Sequence, residues 1–279
     1  MRRQRLTITL KKDLIDLLDQ QIDKEKLRNR SQAIEYFLSQ LLLPKVTKVL
    51  ILAGGQGVKF RPFSYEIPKV LIPIKGKPLL EYTLENLKKY NFSEIVISIG
   101  HLGRKIKEYF KDGKKFGLNI SYLFQEGKIL GTAQPVKQAE QIFKKETFLV
   151  IYGDVLTIID YQDLLNFHFS HKGIVTMALA SVSEPSDWGV AEMRGDLITN
   201  FLEKPKEKKF HSHLVNAGIF VCQPEIFKYI KKTSERLEKD VFPILAHEKK
   251  LFGYPFEGDW YDLSTPEIYE EVLKKFNKK

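Results

Sequence analysis

The fold is decided by an apolar strand that runs into a glycine-rich loop, Val49-Leu50-Ile51-Leu52-Ala53-Gly54-Gly55-Gln56-Gly57. The residues that begin this stretch are large and apolar, which indicates a strand buried on both faces. Glycine has no side chain, so the backbone N–H groups of Gly54, Gly55 and Gly57 can approach a polyphosphate closely. A glycine loop after a strand is often only a tight turn, so its meaning depends on the residues around it.

Three cationic side chains follow the glycines at short spacing. Lys59 and Arg61 come directly after the loop, and Lys69 follows Pro68. Positive side chains beside a glycine loop can neutralise the charge of bound phosphates. We therefore take Lys59, Arg61 and Lys69 as candidate catalytic cations.

Downstream of the loop, the sequence alternates between apolar strands and amphipathic helices. A helix is predicted over Leu79 to Lys89, and the next strand over Ile95 to Ile99. This alternation predicts an α/β domain over residues 45–279, with a doubly wound, mostly parallel sheet and ligands at the carboxyl ends of its strands. Further strands are predicted near Ile120 to Phe124, Phe148 to Tyr152, Val175 to Ala180 and Val215 to Val221.

The composition of the 279 residues is that of an ordinary globular protein, with 43% hydrophobic and 29% charged residues. The single cysteine, Cys222, excludes an internal disulfide and a cysteine-rich zinc site, and it fits a reducing cytoplasm. No apolar run is long enough for a membrane helix, so we expect no membrane partner. The net charge of +10 suits phosphate-bearing ligands or DNA, and it also fits a role in solubility alone.

Residues 1–44 carry a different pattern, one strand followed by two helices. The segment from Arg5 to Leu10 alternates between polar and apolar residues, as a strand does. Apolar residues then recur at helical spacing from Leu14 to Ile22, and Asn29 is a cap signal for a second helix. A single strand in so small a piece needs a partner strand, most simply from a second copy of the chain.

This N-terminal stretch resembles the ribbon–helix–helix repressors over roughly its first 43 residues. In that family, paired strands enter the DNA major groove and their outward side chains read bases. The resemblance implies base contacts from the strand and a phosphate bound at the start of the second helix. The alternative is a module that only forms a homodimer and touches no DNA. The implied DNA-binding residues are Arg5, Thr7, Thr9, Arg30 and Ser31.

The glycine loop and the segment Pro68-Lys69-Val70-Leu71-Ile72-Pro73 together resemble the signature of nucleoside-diphosphate-sugar pyrophosphorylases. The resemblance covers nearly all of Thr47 to Lys275 and implies a Rossmann-like nucleotidyltransferase fold. It implies that Lys69 contacts phosphates and that Gln125, whose amide offers both donor and acceptor, binds the base. The residues implied to bind the nucleotide are Leu52, Ala53, Gly54, Gly55, Gln125, Gly131 and Thr132.

Two carboxylates stand in contexts that resemble that family's metal site. Asp154 follows the predicted strand Phe148 to Tyr152, and so lies where ligands collect. Asp262 lies in the segment Trp260-Tyr261-Asp262-Leu263. By resemblance, the two hold Mg²⁺, which keeps several waters and takes other ligands from phosphates. If each residue is considered alone, the alternative is that Asp154 is a turn residue and Asp262 an N-terminal helix cap.

Three segments in family order are implied to bind the sugar phosphate. Trp188-Gly189-Val190 places a glycine where backbone approaches a sugar, and Asn216-Ala217-Gly218 adds an amide for a hydroxyl. Glu203-Lys204-Pro205 supplies a carboxylate for hydroxyls and an ammonium for the phosphate. A solvated loop is the alternative, and the order of the segments favours the functional interpretation. The implied residues are Gly189, Glu203, Lys204, Asn216 and Gly218.

The resemblance implies a transfer between a nucleoside triphosphate and a sugar-1-phosphate that yields a nucleotide sugar and pyrophosphate. Lys59 stands where that family normally has an arginine, and lysine keeps the charge but loses the two-pronged grip on phosphate. Arg61 is a candidate to compensate for this change.

The segment from Arg236 to Pro243 looks most like mannose- or heptose-1-phosphate guanylyltransferases, while glucose-1-phosphate uridylyl- and thymidylyltransferases stay open. A second hypothesis, from another class, is a DNA-binding regulator that senses a ligand through a nucleotidyltransferase-like domain.

Overall fold

The computed structural model describes residues 4–25, 27–42, 44–125, 131–205 and 211–276. The chain divides into two compact units, Met1–Lys45 and Val46–Lys279, and the boundary predicted at residue 44 lies beside this division. In the described ranges, no helix is long and apolar enough to cross a membrane.

The smaller unit contains two helices, α1 (Lys12–Asp19) and α2 (Arg30–Leu42). The predicted cap of the second helix is confirmed, because the Asn29 side-chain oxygen accepts the backbone N–H of Gln32 at 3.0 Å. Of this unit's described side chains, only that of Ala33 is buried. A single copy of the unit therefore has almost no apolar core.

The structure does not bear out the strand predicted over Arg5 to Leu10, since residues 4–11 of the single chain have no strand pairing. A strand exists only beside a hydrogen-bonded neighbour, and the predicted neighbour belongs to a second copy. Leu6, Ile8 and Leu10 are accordingly 78%, 46% and 37% exposed.

Arg30, which the sequence implied would contact DNA, is engaged within the unit. Its Nε and Nη2 each donate to a carboxylate oxygen of Asp19 at 2.7 Å.

The larger unit is built from short strands and helices that follow one another along the chain. The helix predicted over Leu79 to Lys89 and the strand predicted over Phe148 to Tyr152 are confirmed to the residue. The strands are β1 (Lys48–Ala53), β2 (Pro73–Ile74), β3 (Lys77–Pro78), β4 (Glu94–Ile99), β5 (Asn119–Phe124), β6 (Phe148–Tyr152), β7 (Val155–Thr157), β8 (Val175–Ser181), β9 (Gly189–Arg194), β10 (Leu197–Glu203), β11 (Leu214–Cys222), β12 (Leu251–Pro255) and β13 (Trp260–Asp262). The helices are α3 (Leu79–Lys89), α4 (Gly103–Phe110), α5 (Ala133–Gln138), α6 (Glu140–Phe143), α7 (Tyr161–Ser170), α8 (Leu237–Asp240), α9 (Phe242–His247) and α10 (Pro266–Lys275).

The main sheet of the described chain has the order β5-β4-β1-β6-β11-β8-β12-β10-β9. Strands β5, β4, β1 and β6 are parallel, whereas β11 runs antiparallel to both β6 and β8. The prediction of a mostly parallel sheet is therefore right for the first four strands and for the neighbours β8 and β12, which also pair in parallel. It is wrong for β11 and β10, which pair antiparallel with their neighbours. The reason for the first exception is that β11 is inserted between strands that precede it in the chain. The chain leaves β1 toward β4 on one side and later returns to β6 on the other. Ligands bind at such a switch point in α/β sheets.

Two apolar layers cover the two faces of the sheet. Val49 and Ile51 of β1 pack in the layer that contains α3, α4 and α7, and Leu50 packs in the layer that contains α5, α6 and α9. Burial on both faces explains why this strand reads as a continuous apolar run. It also holds the glycine loop at a defined place, at the carboxyl end of this central strand.

Candidate active site

A cleft of about 440 Å³ opens at the carboxyl ends of β1 and β6. It lies at the switch point of the sheet, where the fold favours a ligand. Most of the residues singled out from the sequence line this one space. They are Leu52, Gly54, Gly55, Lys59, Lys69, Gln125, Gly131, Thr132, Asp154, Gly189, Glu203, Lys204, Asn216, Gly218 and Asp262.

Two of the residues that the sequence implied for the nucleotidyltransferase site do not line the cleft. The side chain of Ala53 is buried in the apolar layer beneath β1. The Arg61 guanidinium is exposed and stacks on the Tyr65 ring, 5.0 Å from its centroid. The structure therefore does not place Arg61 where it would compensate for Lys59.

The glycine loop is shaped by close contacts. A Cβ on Gly54 would stand 2.2 Å from Nε2 of Gln125, so no larger residue fits without moving that amide. Gly57 has a φ of +60°, a left-handed conformation that favours glycine, and its carbonyl accepts the Ser64 hydroxyl at 2.7 Å. The turn that follows holds Lys59 at the edge of the cleft.

The residues implied to meet the base are oriented by neighbouring backbone and side chains. Gln125 donates its backbone N–H to Ile99 at 2.8 Å and its side-chain amide to the Ser98 hydroxyl at 3.1 Å. Gly131 has a φ of +64°, and a Cβ there would lie 2.2 Å from the carbonyl oxygen of Glu235. The cleft wall at this end is thus closely packed.

Two residues that line the cleft, Lys69 and Asp154, form an ion pair. The Lys69 ammonium lies 2.6 Å from Oδ2 of Asp154, and the lysine side chain is only 14% exposed. Lys69 begins the turn after Pro68, and Asp154 follows β6. The signature lysine and the strand-end carboxylate therefore meet, although 84 residues separate them in the chain.

Asp262 reaches the same place through a two-stranded sheet in which it pairs with Val155. The Trp188 indole N–H donates to its Oδ2 at 3.0 Å. Burial, and then the negative charge of Asp154, raise the pKa of the Asp262 carboxyl to about 6, against the opposing charge of Lys69. Two carboxylates thus crowd one partly desolvated site.

These two carboxylates suit a hard divalent cation, which would favour the ionised form of both. No group of three or more histidine, cysteine or acidic residues in the described ranges is placed to hold a metal by itself. Mg²⁺ commonly takes only one or two carboxylates and completes its shell with water and phosphate oxygens. The donor set therefore fits the ion that the sequence implied.

The sugar-side residues lie on β9, β10 and β11, apart from Lys204, which directly follows β10. Gly189 pairs with Glu203 across two antiparallel strands, and a Cβ on Gly189 would stand 2.4 Å from the Phe201 ring. Burial, and then the charge of Glu238, raise the pKa of the Glu203 carboxyl. Asn216 is buried, and its Oδ1 accepts the N–H of Gly218 at 2.8 Å.

Sequence reasoning assigned no role to several residues that line the cleft. Trp188 and Trp260, the only tryptophans of the chain, meet edge to face with centroids 5.8 Å apart. Their positions beside Gly189 and Asp262 were a usable signal. Arg236 and Glu238 lie in the segment whose resemblance indicated the substrate, but nothing in that segment distinguished either side chain as a cleft residue. Tyr152 had no signal, since a strand-end tyrosine is common on surfaces.

Comparisons with known proteins agree with this architecture. Residues 48–279 match the family described as nucleotidyl transferase. A mannose-1-phosphate guanyltransferase of Saccharomyces cerevisiae is 35% identical over 228 residues, which cover 80% of this chain and 62% of that protein. A UTP–glucose-1-phosphate uridylyltransferase of Synechocystis is 33% identical over 247 residues, covering 81% of this chain and 62% of that protein. The chain thus spans less than two thirds of the length of these curated relatives.

Solved structures show the same fold. A Bacillus anthracis protein assigned as a glucose-1-phosphate thymidylyltransferase superposes with a TM-score of 0.72 at 26% identity, over 83% of this chain and 97% of that chain. A UDP-glucose pyrophosphorylase in complex with UDP-glucose gives a TM-score of 0.72 at 24% identity, over 82% and 98% of the two chains. The family match includes the glycine loop, both carboxylates and the sugar-side strands, so the chain belongs to the nucleotidyl transferase family.

Proposed function

We propose that this chain is a sugar-1-phosphate nucleotidyltransferase, which makes a nucleotide sugar and pyrophosphate from a nucleoside triphosphate and a hexose- or heptose-1-phosphate. The observation that supports this most is a single cleft onto which the glycine loop, the Lys69–Asp154 pair and the strands carrying Glu203 and Asn216 all open. Cations beside the loop suit a triphosphate, and carboxylate and amide groups suit sugar hydroxyls.

In this reaction an oxygen of the sugar phosphate attacks the α-phosphorus of the triphosphate. The new P–O bond forms as the bond from the α-phosphorus to the bridging oxygen breaks, and pyrophosphate leaves with that electron pair. The attacking phosphate is already ionised, so no general base is needed. Catalysis then rests on alignment and on neutralising charge on the phosphate oxygens. Lys59, Lys69 and Lys204 line the cleft where they can do so.

Asp154 and Asp262 are the residues that would hold Mg²⁺. When bound, the ion supplies positive charge to the triphosphate oxygens. Lys69 holds the Asp154 carboxylate through its 2.6 Å contact, and Trp188 holds that of Asp262, so both carboxylates, which line the cleft, have defined positions.

Within this function we propose GTP and mannose-1-phosphate as the substrates. The support is the Arg236 to Pro243 segment and the yeast guanyltransferase at 35% identity. The cyanobacterial uridylyltransferase at 33% identity makes UTP and glucose-1-phosphate the pair to test against it.

For the smaller unit we propose homodimerisation through pairing of residues 5–10 with those of a second copy, as in a ribbon–helix–helix module. The exposed Leu6 and Ile8 support this, because burying them needs another surface. The second candidate function, a DNA-binding regulator, is favoured by Arg5, Thr7 and Thr9, which are exposed in the same segment. Arg30 is paired with Asp19, which leaves the helix start at Ser31 as the proposed phosphate contact there.

We propose a reducing cytoplasm as the compartment, because Cys222 is a buried free thiol.

Pyrophosphate release tests the enzyme proposal. The chain is incubated with Mg²⁺, each nucleoside triphosphate in turn, and mannose- or glucose-1-phosphate, with Asp154→Asn as the control. We expect release to be fastest with GTP and mannose-1-phosphate and to require Asp154. Measurable nucleotide binding without release in any combination would contradict the proposal.

Gel shifts across salt concentrations test the regulator. If the smaller unit binds DNA, its affinity for DNA should fall steeply as the salt concentration rises, and Arg5→Ala should relax any sequence preference. No shift at low salt leaves dimerisation as the role of the smaller unit.

A further inference from the structure

One buried carboxylate in the cleft has no part in the reaction as described so far. Glu238, in the short helix α8, is 8% exposed and lines the cleft. We infer that Glu238 is a positioning residue, which holds Thr132 and Ala133 (the base-side loop) and the end of β6 in register for the transfer. This inference rests on the proposed function.

On one side Glu238 is bonded to the base-side loop. The Thr132 hydroxyl donates to its Oε2 at 2.6 Å and accepts the backbone N–H of Leu237 at 2.9 Å. The N–H groups of Thr132 and Ala133 both point to the carbonyl of Glu235 at 3.1 Å. The segment that carries Glu238 therefore binds this loop through both backbone and side chain.

On the other side Glu238 is bonded to the strand that leads to the metal carboxylate. The Tyr152 hydroxyl donates to its Oε1 at 2.5 Å. Tyr152 is the last residue of β6 and stands two positions before Asp154. One carboxylate thus connects the wall implied to hold the base with the wall implied to hold the phosphates.

Both of these bonds need an acceptor, and a carboxylate supplies one on each oxygen. A glutamine at this position would present an NH₂ group to one of the two hydroxyls, which would then have to accept that bond and aim its own hydrogen elsewhere. Glu238 would then no longer hold the base-side loop and the end of β6 at a fixed distance from each other. Because transfer between two phosphates depends on in-line alignment, a small displacement should slow turnover strongly.

The test is a double-mutant cycle on the full chain with Glu238→Gln and Tyr152→Phe. Turnover, the KM for each substrate, nucleotide Kd and the unfolding midpoint are measured for each variant. We expect Glu238→Gln to lower kcat by about 30-fold and to weaken nucleotide binding several-fold, with the sugar-phosphate KM changed by less than about two-fold. Adding Tyr152→Phe to Glu238→Gln should lower kcat little further, since weakening either bond to Glu238 already breaks the connection between the two walls.

A matched control lies outside the cleft. Glu248 also accepts a tyrosine hydroxyl, that of Tyr229, at 2.7 Å. Glu248→Gln removes a carboxylate–tyrosine bond of the same kind, and kcat should stay within about two-fold of the wild type.

Three outcomes would overturn the inference. A raised sugar-phosphate KM with additive effects of the two substitutions would make Glu238 a direct sugar contact. A lowered unfolding midpoint with unchanged kcat per nucleotide-binding site would make it only structural. Equal nucleotide affinity and equal kcat in wild type and Glu238→Gln would leave it without a role. If the wild type binds nucleotide but releases no pyrophosphate, the proposed function fails, and nucleotide affinity in the same cycle still decides the inference.

Discussion

The two units of this chain differ in how far they bury their apolar side chains. In the larger unit, Val49, Leu50 and Ile51 are completely buried between two layers of helices. In the smaller unit, Leu41 and Leu42 are 74% and 76% exposed, although the helix that carries them is well formed. The sheet and its helices bury their apolar residues within one chain, whereas the helix pair of the smaller unit leaves its apolar residues exposed.

This difference in burial has a consequence for function, because one unit holds a site formed within a single chain and the other depends on a second surface. The cleft of the larger unit is assembled by strands whose positions are set within one chain, so its groups already face each other. The smaller unit lacks enough buried surface to be stable alone, and its function depends on what covers Leu6 and Ile8. The predictions below test each half of this contrast.

The largest effect should come from breaking the ion pair in the cleft. Lys69→Met removes the cation at Asp154, and we expect kcat to fall by at least about 100-fold, since charge stabilisation of this kind typically contributes that much. Lys77→Met is the matched control, because Lys77 pairs with Glu85 outside the cleft. Steady-state pyrophosphate release, with thermal unfolding to verify folding, checks this. Equal losses in both variants would contradict a specific role for Lys69.

The next effect concerns the smaller unit. Ile8→Glu places a charge on the apolar face of residues 5–10, and we expect the dimer dissociation constant to rise by about 100-fold, with turnover per chain unchanged. Thr9→Glu adds the same charge on the polar face and should leave the dimer intact. Sedimentation at several concentrations measures this. A monomeric wild type, or a dimer that survives Ile8→Glu, would contradict dimerisation through residues 5–10.

A smaller effect should appear in the core of the larger unit as the pH falls. Burial, and then the charge of His171, lower the pKa of His168 to about 4. In the unfolded chain His168 takes up a proton near pH 6.5, so folding is favoured fully above that pH and progressively less as the pH falls toward 4. The expected loss is about 2 kcal/mol of unfolding free energy between pH 7 and pH 5.

The His168 prediction is checked by urea unfolding at both pH values. The Gln223 amide donates to Nε2 of His168 at 2.7 Å, which leaves Nδ1 to donate to Thr176 at 2.9 Å. His168→Gln removes the titrating group, so its own loss between the two pH values should be smaller by about that amount. An identical pH dependence in the two proteins would rule out His168 as the source.

The smallest effect should come from the loop itself. Lys59→Arg introduces the two-pronged cation that the family resemblance implies at this position, and we expect kcat to rise a few-fold, because Arg61 is stacked on Tyr65 and does not supply it. Arg61→Lys should change kcat less than Lys59→Arg does. The comparison is made by initial rates at saturating substrates. A fall in kcat for Lys59→Arg would mean that the loop is built around lysine.

Much of the larger unit followed from short windows of sequence. The limits of α3 and β6 match the sequence prediction, and the other predicted strands of this unit lie within one residue of those found. The glycine loop was recognised because a buried strand and three glycines are local signals. The strand at Arg5 to Leu10 was not found, since its alternation is local but its pairing is not.

The site divides in the same way. Lys69, Asp154 and Asp262 were singled out from their flanking residues, because motifs are read along the chain. Glu238 was not, because nothing in its own helix reveals that its carboxylate meets Thr132 and Tyr152. The same limit applies to Arg61, which stands beside Lys59 in the loop and yet turns to the Tyr65 ring.

The residues alone were enough for the kinds of element, their order and the chemistry of the loop, because periodicity and glycine act over a few neighbouring positions. Only the folded chain decided that β11 enters between β6 and β8, which makes the sheet mixed. It also decided that Lys69 meets Asp154 and that Glu238 joins the two walls of the cleft. These outcomes depend on packing between segments far apart in sequence, where burial and hydrogen bonding of the whole unit select one arrangement.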